Sequence, residues 1–105
     1  MGTLKNHVSS ARRKGIYREA ILLDKQGWLV LANHIPGYCT PPEIEGYIPD
    51  IYALKELSTY IMMIECQFDS NPICTTILKA YADSFNQTIF KVCTVDGAGC
   101  RLALH

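Results

Sequence analysis

The stretch TYIMMIECQF, residues 59–68, is the strongest indication of topology in this chain. It is apolar at both alternating sets of positions, which is typical of a central strand buried on both faces of a sheet. Strand alternation places Glu65 and Gln67 on one face, after Met63. A buried carboxylate is costly unless it is paired or coordinated, so Glu65 is the first candidate functional residue.

A helix and a further strand are predicted after this strand. Asp69-Ser-Asn-Pro72 combines capping residues with a proline, which is typical of a helix start. We expect a helix from about Pro72 to Asn86 and a strand over Thr88–Val95. This strand–helix–strand step implies a parallel pair with a right-handed crossover. Asp96–Gly99 predicts a turn, followed by a short last strand over Cys100–His105.

One helix and two strands are predicted before the central strand. Residues 5–26 form the helix, and Gly27 is its expected stop. One side of this helix carries a core-facing stripe that contains Arg12, Gly15, Ile16, Glu19, Ala20, Leu22 and Leu23. The two strands are predicted at Trp28–Asn33 and Tyr47–Leu54, with a loop over residues 35–47 between them and a polar turn at Lys55–Ser58.

The predicted order is therefore helix, three strands, helix, strand, with the first three strands as a meander. This is an α/β architecture, a mixed sheet with helices packed on it. Residues 1–105 are expected to form a single domain, because their length and 49% apolar content support one core. We expect no membrane span, since no apolar run approaches ~18 residues. The polar, basic N-terminus shows no secretory signal.

The cysteines indicate a reducing compartment. There are five of them, without any Cys-x-x-Cys pair, which argues against a disulfide framework and a zinc ribbon. We expect buried, reduced thiols in a cytoplasmic protein. A Cys/His zinc site assembled from distant positions is the alternative.

The charge of the chain is unevenly distributed. Net charge is zero, which argues against a strong nucleic-acid binder, but residues 1–28 carry a net charge of +4 and the remainder carries −4. Such asymmetry is typical of a basic surface that binds phosphates beside an acidic centre that holds a metal. The candidate phosphate-binding residues are Arg12, Arg13, Lys14 and Arg18. The alternative is a solvated basic helix face.

Two further acids accompany Glu65. Asp50, in Ile48-Pro-Asp-Ile51, opens the neighbouring strand and is expected within metal-bridging reach of Glu65. Glu19 lies in the core-facing helix stripe, so three acids are expected to converge on one point. Their oxygens are the hard ligands that Mg²⁺ prefers, and a metal-activated water suits phosphodiester hydrolysis.

Each acid also has an ordinary explanation when taken alone. Asp50 is then a turn residue, and Glu65 is a paired core acid or an edge residue. Glu19 is then a salt-bridge partner of Arg12 or Arg18. The placement of Asp50 and Glu65 on adjacent strands in this element order is much more specific than any single acid.

With these motifs, the chain resembles the PD-(D/E)xK nuclease superfamily, and within it the archaeal-type Holliday junction resolvases and related small endonucleases. The resemblance extends to about Val95 and rests on Arg13-Lys-Gly15, Arg18-Glu19, Gly27-Trp28, Ile48-Pro-Asp-Ile51 and Ile64-Glu-Cys-Gln67. It implies a restriction-endonuclease-like αβββαβ fold, with Asp50 and Glu65 as metal-binding acids and Glu19 as the helix acid. It also implies cleavage of duplex or branched DNA with Mg²⁺, for which Mn²⁺ substitutes, often by a homodimer.

The chain departs from the family at one position. The family has Glu-x-Lys where this chain has Gln67, and a neutral amide does not replace the charge of that lysine. Gln67 could orient water by hydrogen bonding, or a lysine could be recruited from another element, with Lys79 and Lys91 as candidates.

Three hypotheses follow from this departure. The first is a metal-dependent DNA endonuclease in which Asp50, Glu65 and Gln67 are catalytic. The second is a catalytically degenerate nuclease-fold module for DNA binding or protein interaction. The weakest is a structural domain that assembles through its sheet edge, with Glu65 paired to Arg18 or Lys91. The tyrosines are too scattered along the sequence to predict a base-stacking platform.

Overall fold

A computed structural model of the chain describes residues 9–55, 60–67 and 72–105. Two helices and five strands follow one another as α1 (Ser10–Lys25), β1 (Trp28–Ala32), β2 (Ile51–Lys55), β3 (Ile61–Gln67), α2 (Pro72–Asp83), β4 (Thr88–Val95) and β5 (Arg101–Leu104). The predicted α/β class is confirmed. None of the helices in the described ranges is long and apolar enough to cross a membrane.

The five strands form one mixed sheet in the order β1-β2-β3-β4-β5. β1, β2 and β3 are an antiparallel meander, β3 and β4 are parallel, and β4 and β5 are antiparallel. The predicted meander, the parallel step and the central place of β3 are therefore confirmed. β3 is central because its apolar side chains serve both faces of the sheet.

The two helices cover opposite faces of this sheet. Ile64 and Cys66 of β3 pack in one core cluster with Ile16 of α1. Met63 packs in a second cluster with Leu78 of α2. Because successive strand residues point to opposite faces, the α2 face also receives Glu65 and Gln67.

Helix α1 begins later than its sequence pattern predicts. Ser9 is extended, with φ −64° and ψ 154°, and its hydroxyl oxygen accepts the backbone N–H of Arg12 at 3.1 Å. Ser9 is thus the N-cap, and the helix begins at Ser10 rather than at residue 5. Residues 5–8 of the predicted helix lie outside the described residues. Gly27, with φ 89°, follows the helix as expected of a stop.

Strand β2 was predicted from Tyr47 and begins instead at Ile51. Pro49 has no N–H, and the N–H of Asp50 donates to the carboxylate of Glu65 rather than to a neighbouring strand. Tyr47 forms only an isolated bridge with Ile44. Asp50 is therefore held at the end of a strand instead of within one.

The other boundaries agree with the predictions to within a few residues. β1 ends at Ala32 and α2 ends at Asp83, slightly earlier than expected, and β4 spans the predicted residues. The last strand is shorter than Cys100–His105. Lys55, predicted to begin the polar turn Lys55–Ser58, is instead the last residue of β2. The rest of that turn, the helix start at residues 69–71, and residues 59 and 68 of the predicted third strand lie outside the described residues.

Candidate active site at Asp50 and Glu65

Asp50 and Glu65 are joined through the backbone of their neighbouring strands. Glu65 Oε2 accepts the N–H of Asp50 at 2.7 Å, and Asp50 Oδ2 accepts the N–H of Cys66 at 2.8 Å. Asp50 is 0% exposed and Glu65 is 2% exposed. The structure thus brings together the two acids that strand order predicted to be neighbours, and each positions the other.

Arg12, from the first turn of α1, supplies the positive charge at this pair. Its Nε lies 3.1 Å from Asp50 Oδ2, and its Nη2 lies 2.7 Å from Asp50 Oδ1 and 3.7 Å from Glu65 Oε1. The sequence placed Arg12 among the phosphate-binding residues and did not predict this contact. Its position in the core-facing helix stripe was the signal that it points inward.

Burial dominates the protonation of the pair. Burial, together with the nearby charge of Asp50, raises the pKa of Glu65 to about 8. Burial also raises the pKa of Asp50, although the hydrogen bonds and charge of Arg12 oppose that change. Burial therefore favours a protonated Glu65 at neutral pH, whereas the bonds to Arg12 favour the ionised form of Asp50.

Two residues of α2 complete the surroundings of Glu65. The thiol of Cys74 lies 3.5 Å from Glu65 Oε1, and burial raises the pKa of this thiol to about 12, with Glu65 adding to the rise. Gln67 Nε2 donates to Thr75 Oγ1 at 2.7 Å. Gln67 is thereby oriented by α2, on the same face of the sheet as Glu65.

Neither candidate replacement lysine contacts the acid pair. Lys79 is exposed, and its Nζ lies 3.2 Å from Asp83 one turn further along α2. Lys91 is in register with Ile64, so alternation places it on the face opposite Glu65. Arg12 is the only cation in a salt bridge with Asp50 or Glu65 among the residues that the structure describes.

Glu19 does not join the other two acids. Its carboxylate accepts Arg101 Nε at 2.9 Å and also accepts Arg101 Nη2. It lies on the α1 side of the sheet near Cys93, whereas Glu65 lies on the α2 side. The expected convergence of three acids is therefore not found. Within residues 9–55, 60–67 and 72–105, no group of three or more His, Cys, Asp or Glu residues is arranged to hold a metal.

Three further residues of α1 were predicted to bind phosphates. Arg13, Lys14 and Arg18 are exposed, and Arg18 Nη1 donates to Cys100 Sγ at 2.8 Å. Burial lowers the pKa of His34, which also senses the charges of Asp50, Arg12 and Arg13. His34 is thus close to charges of both the acid pair and the first turn of α1.

The acid pair presents two oxygen donors to a single point. Asp50 Oδ1 and Glu65 Oε1 both face Arg12 Nη2. Mg²⁺ is usually held by one or two carboxylates, with waters and substrate phosphates as its other ligands. The donor set therefore fits such a cation in exchange for the guanidinium.

Comparison of the chain with protein-family models, curated proteins and solved structures gave no match.

Proposed function

We propose that this chain is a Mg²⁺-dependent endonuclease that hydrolyses phosphodiester bonds of duplex or branched DNA. One observation carries the proposal: a single cationic nitrogen, Arg12 Nη2, faces the oxygens of two buried acids, Asp50 just before β2 and Glu65 within β3. Buried acids with raised pKa values, held by specific partners, are typical of functional sites.

The fold supports this proposal. A helix, an antiparallel three-stranded meander, a second helix and a strand parallel to β3 form the order expected of a restriction-endonuclease-like core. The resemblance would make Asp50, which immediately precedes β2, and Glu65, within β3, the metal-binding acids. The homodimer and the cytoplasmic location stay predictions.

In this proposal, Asp50 and Glu65 hold the divalent cation. When bound, Mg²⁺ or Mn²⁺ would neutralise negative charge on the scissile phosphate and lower the pKa of a water molecule bound to the cation. Arg12 would release Asp50 and bind a phosphate oxygen of the substrate instead. Its positive charge would then stabilise the phosphate, which is the role of the lysine that this chain lacks. The Oε1 atom of Gln67, whose amide nitrogen is held by Thr75, accepts a hydrogen bond from water.

Cleavage assays with Mg²⁺ or Mn²⁺ on branched, nicked and duplex DNA test the proposal. Asp50→Asn, which removes one anionic ligand, should abolish metal-dependent cleavage. Asp83→Asn is the matched control, because Asp83 is an exposed carboxylate that pairs with Lys79. Circular dichroism checks that both variants fold. Equal background cleavage by wild type and Asp50→Asn would refute the enzymatic proposal.

A second candidate is a nuclease-fold module that has lost catalysis and binds DNA or a protein. Two observations favour it: Arg12 already neutralises Asp50, and no lysine contacts the acid pair within the described part of the chain. It predicts no cleavage and no binding of Mn²⁺ at the acids. Calorimetric titration with Mn²⁺ separates the candidates, because the endonuclease must bind the cation and must lose binding in Asp50→Asn.

A further inference from the structure

A groove of about 460 Å³ lies between the outer face of α1 and the segment after β1. It is lined by three cationic side chains, one aromatic ring and two apolar residues: Arg13, Lys14, Arg18, Tyr17, Ile35 and Pro36. Ligand pockets in proteins typically measure ~300–1,000 Å³. The groove is therefore large enough for a nucleotide.

The helix presents a cationic face to this groove, with Arg18 also hydrogen-bonded to Cys100 Sγ. Arg13 and Tyr17 are one turn apart, as are Lys14 and Arg18, so the four side chains share one face. None of the salt bridges among the described residues involves Arg13, Lys14 or Arg18. Like charges one turn apart repel, which an anionic ligand would offset.

An exposed aromatic ring lies within the same groove. Tyr17 is 51% exposed, which leaves its ring available to a ligand. Ile35 and Pro36 line the opposite wall with apolar surface. A cationic rim around an aromatic ring suits stacking of a base with its phosphates bound at the rim. The tertiary structure thus gives Tyr17 an environment that the spacing of tyrosines in the sequence does not predict.

The groove adjoins the acid pair through two short chain segments. Arg12 binds Asp50, and the next residue, Arg13, lines the groove. On the other wall, the N–H of Asn33 donates to the carbonyl oxygen of Asp50 at 2.8 Å, and Ile35 lies two residues further along. Each wall of the groove therefore lies only one or two residues along the chain from a residue that is hydrogen-bonded to Asp50.

We infer that this groove binds an unpaired nucleotide of a DNA substrate. The base stacks on Tyr17, and the flanking phosphates contact Arg13, Lys14 and Arg18. The nucleotide must be unpaired, because bases within a duplex stack on one another and offer only edges and phosphates to a protein. The inference rests on the proposed function and narrows its substrate to DNA with a single-stranded segment beside the scissile phosphate.

Fluorescence anisotropy with labelled oligonucleotides in EDTA tests the inference without cleavage. Single-stranded DNA is compared with a duplex of the same sequence. Tyr17→Ala should weaken single-strand binding about tenfold and leave duplex binding nearly unchanged. Tyr17→Phe should bind as wild type, because stacking needs the ring and not the hydroxyl. Phe85→Ala is the matched control, since Phe85 is also 51% exposed but lines a different surface.

Four results would overturn the inference. Tyr17→Ala could bind single-stranded DNA like wild type, or lose single-strand and duplex binding equally. Polyglutamate could compete as well as single-stranded DNA, which would assign the groove to acidic polypeptides. RNA of the same sequence could bind more tightly than DNA, which would remove the link to a DNA substrate.

Failure of the inference and failure of the proposed function are distinguishable. Tyr17-dependent binding in a chain that shows no metal-dependent cleavage would overturn the nuclease and leave the groove assignment standing. Metal-dependent cleavage by a chain whose single-strand binding does not depend on Tyr17 would overturn the groove assignment and leave the nuclease proposal standing.

Discussion

Arg12 and Asp50 are joined by two hydrogen bonds, from Nε to Oδ2 at 3.1 Å and from Nη2 to Oδ1 at 2.7 Å. Asp50 is fully buried, so this guanidinium is the counter-charge that makes its ionised carboxylate tolerable. The contact ties the first turn of α1 to the start of β2. It also makes Arg12 a stabilising residue and, under the proposed function, the group that a divalent cation would displace.

Arg12→Ala should lower the free energy of unfolding by about 3 kcal/mol at neutral pH, because it leaves Asp50 buried without a partner. Urea denaturation measures this change. Arg13→Ala is the matched control, since Arg13 is exposed and a surface substitution should cost no more than about 0.5 kcal/mol. Equal stability of the two variants would contradict the role of Arg12 as the counter-charge of Asp50.

The contribution of Glu65 to the stability of the metal-free protein should fall as pH rises from about 4.5 to about 8. The pKa of Glu65 is raised from 4.5 to about 8, so the folded state holds a proton that the unfolded state releases. The contribution of Glu65 is complete below its unfolded pKa and is lost as pH rises through its folded pKa. Urea midpoints at several pH values measure it.

Glu65→Gln is the control for that pH dependence. A glutamine does not titrate, so the difference in unfolding free energy between wild type and Glu65→Gln should change with pH across this window. Groups distant from Glu65 titrate in both proteins and cancel in the difference, whereas the titration of Asp50 is linked to that of Glu65 and contributes to the difference. A difference that stays constant with pH would show that Glu65 has an ordinary pKa.

Arg101→Ala should lower the free energy of unfolding by about 1–3 kcal/mol, because Glu19 is buried and would lose a charged partner. Lys79→Ala provides the comparison, since the Lys79–Asp83 pair is exposed and pairs of that kind contribute ~0.5 kcal/mol or less. Thermal and urea unfolding measure both variants. Equal losses of unfolding free energy in Lys79→Ala and Arg101→Ala would contradict the prediction that burial of Glu19 makes its ion pair the stronger one.

Gly99→Ala should destabilise the packing of α1 against the β4–β5 turn. Gly99 has φ 81°, and an added Cβ would lie 2.4 Å from the Cβ of Lys14 and 2.8 Å from the carbonyl oxygen of Ala11. Overpacking of this kind costs about 1–3 kcal/mol. Gly97→Ala is the matched control in the same turn, because nothing lies within 4 Å of its added Cβ. Similar melting temperatures for the two variants would contradict this close approach.

Part of the candidate site was predictable because strand patterns are local. The two apolar faces of β3 predicted a central strand, and its neighbour in the meander had to bring Asp50 close to Glu65. The start of β2 was not predictable in this way. The carboxylate of Glu65 takes the N–H of Asp50, and that competition depends on a residue 15 positions away.

The periodicity of apolar residues was sufficient to establish the element order, the α/β class and the inward direction of Arg12 and Glu19, because these properties depend on residues within a few turns of one another. The pairing of charges needed the folded chain. Arg12 meets Asp50 across 38 residues, and Arg101 meets Glu19 across 82. The spacing of residues along the sequence does not predict which buried acid each arginine neutralises, because that depends on how α1, β2 and β5 pack. The sheet itself separates Glu19 from Glu65 and leaves two acids, rather than three, at the candidate site.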